Sequence, residues 1–390
     1  MFTLPIPLAA ALLTPLAWAQ DVGEPQPEPA EIDELAGAEA DPEPAEPAPT
    51  AKPRGDLQAL RAKIDASVYA DVGIVSSTAV NDFQPSFNVG MVDLFARSQI
   101  ADNVQALTEV MAGEVDGMLM VHVPRIFIDY RATGWLNLRA GRYHSPLGGY
   151  TTSYPHGGGV YRLAVDRPRL LSMDHGEEMI PNHLEGLMAT ATRSGAGPAI
   201  RLDATVARDH HDASPGWGSG LRLTVFQGGM GGAVEAGVSA YVNRISAAVM
   251  DHGSMEMSHG TDDDDELDLS WEQIAVLHVA VHRYPIEGAA EAWYIRHSDA
   301  LDLGDHTALV GAFAQAGYTW NRYTPYGRYE YFQRDAGDPV FGALGAPLVQ
   351  NKLSAGLRTS VNEKVSIKGE YGFDLAAVEH AVTLQADFGF

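Results

Sequence analysis

The chain ends in Ala381-Val-Thr-Leu-Gln-Ala-Asp-Phe-Gly-Phe390, and this stretch decides the fold. Its larger apolar residues stand at every second position, at Val382, Leu384, Ala386, Phe388 and Phe390. This period is typical of a β-strand with one apolar and one polar face. The segments 353–357 and 365–373 alternate in the same way, so the C-terminal part of the chain is predicted to be a series of strands.

The same pattern extends toward the N-terminus and predicts about sixteen strands, an even number, as closed bacterial outer-membrane barrels have. They are expected near 64–76, 87–99, 104–114, 118–131, 135–144, 182–194, 199–208, 220–227, 232–246, 269–283, 288–298, 306–318, 325–333, 350–360, 364–373 and 380–390. The apolar alternation alone is also compatible with a water-soluble sandwich.

The connections between these strands distinguish the two alternatives. Short turns such as Ala101-Asp-Asn103 alternate with the long connections, which are 145–181, 209–219, 247–268 and 334–349. A soluble β-protein has no reason to sort its connections in this way, whereas an outer-membrane barrel has short periplasmic turns and long external loops. The expected fold class is therefore all-β: a closed antiparallel transmembrane β-barrel of about sixteen strands.

The N-terminal part of the chain is predicted to lie outside the barrel. Residues 1–19 have the pattern of a cleaved signal peptide, because an apolar run too short to span a bilayer precedes Ala17-Trp-Ala19. Residues 20–55 alternate proline with acidic residues and are predicted to be a disordered periplasmic spacer. Residues 56–390 remain for the barrel.

Composition excludes several classes of function. The formal net charge of -25 argues against a nucleic-acid partner, which requires clustered Lys and Arg. The absence of Cys excludes disulfides, Cys-bound zinc and a thiol nucleophile.

The competing enzyme class is an outer-membrane hydrolase with a Ser, His and acid at the barrel rim. However, Gly216-Trp-Gly-Ser-Gly220 does not match the G-x-S-x-G elbow of such hydrolases. Gly229-Met-Gly231 likewise lacks the third glycine of a dinucleotide-binding loop. No enzyme activity is expected.

Together, the signal sequence, the strands and the terminal Phe390 resemble the Gram-negative outer-membrane porin superfamily, of the general or phosphate-selective-like type. The ending, with Phe388 and Phe390, resembles the signal that the barrel-assembly machinery recognises. The stretch Ile128 to Gly149 is similar to the strand-turn-strand pattern at the entrance to the third external loop of such porins. The resemblance implies an outer-membrane location, contact with outer-membrane lipids and lipopolysaccharide, and a homotrimer.

A barrel of about sixteen strands leaves a water-filled channel, since side chains cannot fill so wide an interior. The expected function is passive diffusion of small hydrophilic solutes or ions, and the resemblance implies that the loop 145–181 folds inward and narrows the channel. The candidate constriction residues are Arg139, Arg142, Arg162, Asp166, Arg167, Arg169, Glu177 and Glu178. Lumen positions are mixed in sign, at Arg328, Arg358, Lys368, Glu330, Glu370 and Asp387, so no ion selectivity is predicted.

The stretch Met250 to Asp265 supports an alternative function, a barrel whose external loop binds metal ions for uptake or sequestration. Thioether and imidazole groups suit Cu(I), whereas clustered carboxylates suit hard cations such as Ca(II). The candidate ligands are His252, Met255, Met257 and His259, with Asp262 and Asp263 attracting cations. The competing interpretation is a hydrophilic surface loop, and no other cofactor is expected.

Overall fold

A computed structural model describes residues 64–79, 83–115, 118–153, 158–172, 179–195, 197–209, 216–228, 233–246, 269–299 and 306–390. The predicted signal peptide and spacer lie outside these ranges. Among the helices of the described part, none is long and apolar enough to cross a membrane.

The described residues are almost entirely β-strands. They are β1 (Ile64–Ser77), β2 (Ser86–Val89), β3 (Val92–Ala101), β4 (Val104–Val115), β5 (Met118–Arg131), β6 (Leu136–His144), β7 (His183–Arg193), β8 (Ala199–Asp209), β9 (Gly218–Gln227), β10 (Val234–Ser246), β11 (Leu269–Arg283), β12 (Ile286–Asp299), β13 (His306–Tyr318), β14 (Tyr323–Arg334), β15 (Val349–Asn362), β16 (Val365–Asp374) and β17 (Glu379–Gly389). Short helices span Tyr150–Ser153 and Pro339–Ala343, and 3-10 turns span Gly158–Tyr161 and Arg169–Leu171.

The sheet closes on itself. From β3 to β17 each strand pairs antiparallel with the next along the chain, and β1 pairs with β17 from Tyr69↔Gly389 to Ser77↔Ala381. Both β2 and β3 pair with β1, at its two ends, so these two segments together form one wall strand. The seventeen segments therefore make a closed barrel of sixteen strands, which confirms the fold class predicted from the sequence.

The two faces of the wall have opposite chemistry. Outer-face leucines are more than half exposed, as at Leu119, Leu187, Leu221 and Leu277. Inner-face charged residues are buried, as at Glu109, Asp203, Arg222 and Lys368. A protein in water buries its apolar side chains, whereas an apolar exterior around a polar interior is the arrangement of a barrel in lipid.

The connections separate by length between the two ends of the barrel. One end has tight turns, such as 102–103, 284–285 and 363–364, while the opposite end has the long connections 145–182, 210–217, 247–268 and 335–348. The alternation of connection lengths predicted from the sequence is confirmed. We call the end with the long connections the long-loop end and the opposite end the short-turn end.

Candidate pore and its inward-folded loop

The connection between β6 and β7 is fixed to the inner wall through its backbone. The carboxylate of Glu291, on β12, accepts the N–H groups of Gly149 (2.6 Å) and Tyr150 (2.7 Å). From β9, the Arg222 guanidinium donates to the carbonyl oxygen of Gly148 (3.0 Å) and to the hydroxyl of Thr152 (2.8 Å). Irregular backbone at this depth needs such partners, since an unpaired buried peptide group is costly.

The next part of the loop is held by β14 and β16. The Lys368 ammonium donates to the carbonyl oxygen of Gly159 (2.6 Å), and the Arg328 guanidinium donates to that of Asp166 (2.6 Å). Gly159 approaches the wall so closely that an added Cβ would lie 2.1 Å from a carboxylate oxygen of Asp387. The described parts of the loop therefore lie along the inner face of β9 to β17.

Charged lumen residues predicted from the strand period do face the interior. They are Arg328, Arg358, Lys368, Glu330, Glu370 and Asp387. Several of them pair with each other: Lys368 lies 3.2 Å from Asp387, and Arg328 lies 2.8 Å from Glu330. The predicted lumen positions are confirmed, and the mixed signs are explained because these groups pair within a strand or across neighbouring strands and bind the loop.

Apolar contacts add to these hydrogen bonds. Leucines and a tyrosine of the loop pack inside the barrel against an apolar part of the wall, and this cluster includes Leu147, Tyr150, Leu170, Leu171, Trp293, Ile295, Leu309, Phe313 and Phe332. The Tyr150 ring meets the Phe313 ring edge to face, with centroids 5.4 Å apart. Burial raises the pKa of the Tyr150 hydroxyl, so this group is neutral at pH 7.

Four of the predicted constriction residues lie together. Arg162, Asp166, Arg167 and Arg169 line one cavity of about 610 Å³ toward the long-loop end of the barrel. The wall contributes acidic and basic groups to the same cavity, namely Asp71, Lys352, Asp374 and Glu379. Arg167 also lies over the Tyr150 ring, 5.7 Å from its centroid. The loop thus presents mainly arginines to this cavity.

The other predicted constriction residues do not join this cluster. Arg139 faces the interior nearer the opposite end, where its guanidinium binds Asp129 at 2.7 and 2.8 Å and stacks on Phe127. Arg142 lies on the outer face of β6, paired with Glu185. Glu177 and Glu178 lie outside the described residues.

Two further cavities lie closer to the short-turn end of the barrel. A cavity of about 320 Å³ is lined by wall residues that include Asp65, Tyr69 and Arg97, together with Thr152 from the loop. Arg125, also on this cavity, forms an ion pair with the buried Glu109. A third cavity of about 320 Å³ lies at the short-turn end and is lined by Gln99, Asp102, Asp129, Arg131 and neighbouring residues.

Two further predictions concern other parts of the chain. Phe388 pairs with Ala70 and Val365 in the sheet, and Phe390 exchanges two backbone hydrogen bonds with Val68 at the barrel seam.

The candidate metal ligands between 250 and 265 lie outside the described residues. Within the ranges that are described, no group of three or more His, Asp or Glu side chains could hold a metal ion.

Sequence reasoning did not single out the wall residues that hold the start of the loop. Glu291 lies in a strand whose next two inward positions are Trp293 and Ile295, so the inner face of β12 is mixed in polarity and does not mark Glu291 as a loop partner. The signal available in the sequence was a carboxylate on the same strand face as two large apolar residues. Arg222 has a comparable position on β9, and both residues contact the loop from more than 70 positions away.

No protein-family profile matches the chain, and no curated protein matches its sequence. Solved structures of outer-membrane barrels do match its fold. The anion-selective porin from Comamonas acidovorans aligns with a TM-score of 0.58 at 8% identity, over 84% of this chain and 99% of the porin. The outer membrane channel DcaP of Acinetobacter baumannii gives 0.52 at 12% identity, over 85% and 98%. OmpF of Salmonella typhi gives 0.52 at 14% identity, over 84% and 97%. The chain thus has a porin-like β-barrel fold.

Proposed function

We propose that this chain is an outer-membrane channel for passive diffusion of small hydrophilic solutes and ions. The single observation that carries the proposal is that the loop is bound to one side of the barrel interior and leaves open space beside it. The loop is bound to the β9–β17 wall, and three separate cavities with charged linings lie beside it. The one at the long-loop end is lined by the loop, by β15 to β17 and by β1 and β4, the second by β1 and β3 to β5, and the one at the short-turn end by β3 to β7. A barrel with a polar interior of this width conducts water-soluble molecules.

Loop 145–181 narrows this channel by occupying one side of it. Its backbone is bound at Gly148, Gly149, Gly159 and Asp166, so the remaining passage lies between the loop and the opposite wall. Toward the long-loop end this passage is lined by charged groups, among them Arg162, Asp166 and Asp71. Solute size is therefore limited by the loop.

The charges on this passage support weak ion selectivity and orientation of dipolar solutes. The cavity at the long-loop end has equal numbers of basic and acidic residues: Arg162, Arg167, Arg169 and Lys352 against Asp71, Asp166, Asp374 and Glu379. Three of the four basic groups belong to the loop, whereas three of the four acidic groups belong to the wall or its connections. Opposed charges across a narrow passage orient a solute dipole.

The apolar outer face and the connection lengths support a location in the outer membrane with the long-loop end outside the cell. The resemblance to porins favours a homotrimer. Native mass spectrometry of the detergent-extracted protein measures the oligomer directly.

Liposome swelling tests the diffusion proposal. Vesicles containing the purified barrel should swell in small sugars, at rates that fall as the sugar grows. Barrel-containing vesicles that swell no faster than empty ones would overturn it.

A reversal potential measured across a salt gradient tests the assignment of charges. The variant Arg167→Glu should shift selectivity toward cations, because it replaces a positive group of the cavity with a negative one. Arg193→Glu, at the short-turn end of the outer face, is the matched control and should leave the potential unchanged.

A further inference from the structure

The cavity at the short-turn end has a different lining from the cavity at the long-loop end. Amide and hydroxyl side chains dominate its polar surface, among them Gln99, Gln105, Thr133, Asn137, Thr190 and Thr192. The cavity at the long-loop end presents four basic and four acidic groups instead. The short-turn end therefore offers a solute many hydrogen bonds and few charges.

The few charges at this cavity balance. Asp129 is bound by the Arg139 guanidinium through two hydrogen bonds, at 2.7 and 2.8 Å. The other charged residues of the lining, Asp102 and Arg131, have opposite signs. Because a site recognises a ligand of complementary charge, a neutral solute fits this cavity better than an ion.

The hydrogen-bonding groups lie side by side on the inner wall. Gln105 on β4 is the direct cross-strand neighbour of Gln99 on β3, and Asn137 on β6 is that of Thr190 on β7. The Cβ atoms of such neighbours are about 4.5–5.5 Å apart. Adjacent side chains can therefore bind different hydroxyls of one small molecule.

Part of this lining is fixed and part of it is available to a ligand. The Gln99 amide donates to both carbonyl oxygens that flank the β3–β4 turn, at 2.5 and 3.3 Å. In the described part of the chain, the side chains of Gln105, Asn137 and Thr192 have no hydrogen-bond partner, although each residue is half-buried. An amide or a hydroxyl can both donate and accept, as a ligand rich in hydroxyl groups requires.

An exposed tryptophan borders the cavity. Trp135, in the turn between β5 and β6, is 58% exposed. Its carbonyl oxygen accepts the N–H of Thr192 at 2.8 Å, and its own N–H donates to the hydroxyl of Thr133 at 3.2 Å, so its backbone is fixed. Among the described residues, no other ring and no guanidinium stacks on its indole. An open aromatic face beside hydrogen-bonding groups suits a sugar ring, which has an apolar C–H face and hydroxyls at its edge.

We propose that this cavity is a binding site for a neutral pyranose sugar, a monosaccharide or disaccharide. Trp135 stacks on the apolar face of the sugar ring, and Gln105, Asn137 and Thr192 bind its hydroxyls. The volume of about 320 Å³ is near the lower end of the range for small-molecule sites, roughly 300–1,000 Å³, which suits a short sugar. The inference deepens the proposed diffusion function and rests on it for the access of sugar through the channel, whereas binding itself does not require passage.

Saturation-transfer NMR measures sugar binding without transport. The probes are glucose and maltose, titrated onto the full-length folded barrel in micelles of lauryldimethylamine oxide, a detergent whose headgroup contains no sugar. W135A should bind maltose about tenfold more weakly, because the ring contact is lost, and W135F should keep most of the affinity. W320A is the matched control and should bind like the wild type, since Trp320 is a 68% exposed tryptophan in another turn at the same end and does not line this cavity.

A second variant and a third ligand complete the test. Q105A/N137A should bind maltose about thirtyfold more weakly through the loss of two amides. Mannitol, which has hydroxyls but no ring, should bind weakly and equally to the wild type and W135A. No saturable transfer to either sugar, equal losses in W135A and W320A, or mannitol binding as tightly as glucose would each overturn the proposal.

The outcomes separate this site from the diffusion function. If W135A does not fold, Q105A/N137A decides alone, and wild-type maltose affinity in that variant would overturn the proposal. A barrel that binds maltose with the expected losses in the variants but does not swell vesicles would support the sugar site while it overturns the diffusion function.

Discussion

Replacing Glu291 with alanine should release the start of the loop from the barrel wall. The Glu291 carboxylate accepts the N–H groups of Gly149 and Tyr150, and its second oxygen accepts the Trp293 indole N–H at 3.0 Å. The E291A variant would leave three buried donors without this acceptor. Each such donor costs about 1–3 kcal/mol, so docking of the loop weakens by at least ~3 kcal/mol. The ratio of docked to released loop then falls on the order of a hundredfold.

Single-channel recording in planar bilayers measures this effect. The E291A barrel should show a larger mean conductance and more current noise than the wild type, because the loop no longer holds one position in the lumen. Glu185→Ala is the matched control, since Glu185 lies on the outer face of the wall, where it pairs with Arg142. E291Q should fall between the two, as its amide oxygen can still accept the loop N–H groups. A folded E291A barrel with wild-type conductance and noise would refute the assignment of Glu291 as the loop anchor.

Two other predictions concern the loop and a second connection of the barrel. Gly148→Ala should also raise conductance, because Gly148 has a φ of +67° and an added Cβ would lie 2.6 Å from the Glu291 carboxylate; Gly134→Ala, where nothing lies within 4 Å, is its control in the same recording. Burial acts to raise the pKa of Asp338, but the hydrogen bond and charge of His297, together with the hydrogen bonds from Phe341 and Thr307, outweigh it, and the pKa lies below its usual range. Asp338 therefore stabilises the connection 335–348 at pH values above about 4 and loses this contribution as pH falls further, so the difference in thermal stability between wild type and D338N should be constant from pH 7 to 5 and shrink below pH 4. A difference that shrinks already between pH 7 and 5 would contradict this assignment.

Much of the barrel wall could be predicted from the sequence because the strand period is a local property. The predicted strand 269–283 coincides with β11, and most other boundaries differ by a few residues. The predicted strand 87–99 is interrupted in the structure at Gly90 and Met91, between β2 and β3. An added Cβ at Gly90 would collide with the Asp71 carboxylate, so the position of the break accepts only glycine.

The arrangement inside the barrel could be predicted only in part. Arg139 and Arg142 are three positions apart, so a regular strand turns them to opposite faces, and the period itself could have excluded Arg142 from the lumen. The wall that binds the loop could not be found in this way. Glu291 and Gly149 are 142 positions apart, and their contact depends on the closure of the whole sheet.

The central claim is that the closed barrel holds a water-filled passage from end to end. The most direct test is single-channel recording of the purified full-length protein in planar bilayers. Uniform conductance steps that scale with salt concentration are predicted. A folded, membrane-inserted barrel that gives no steps at any voltage would contradict the claim.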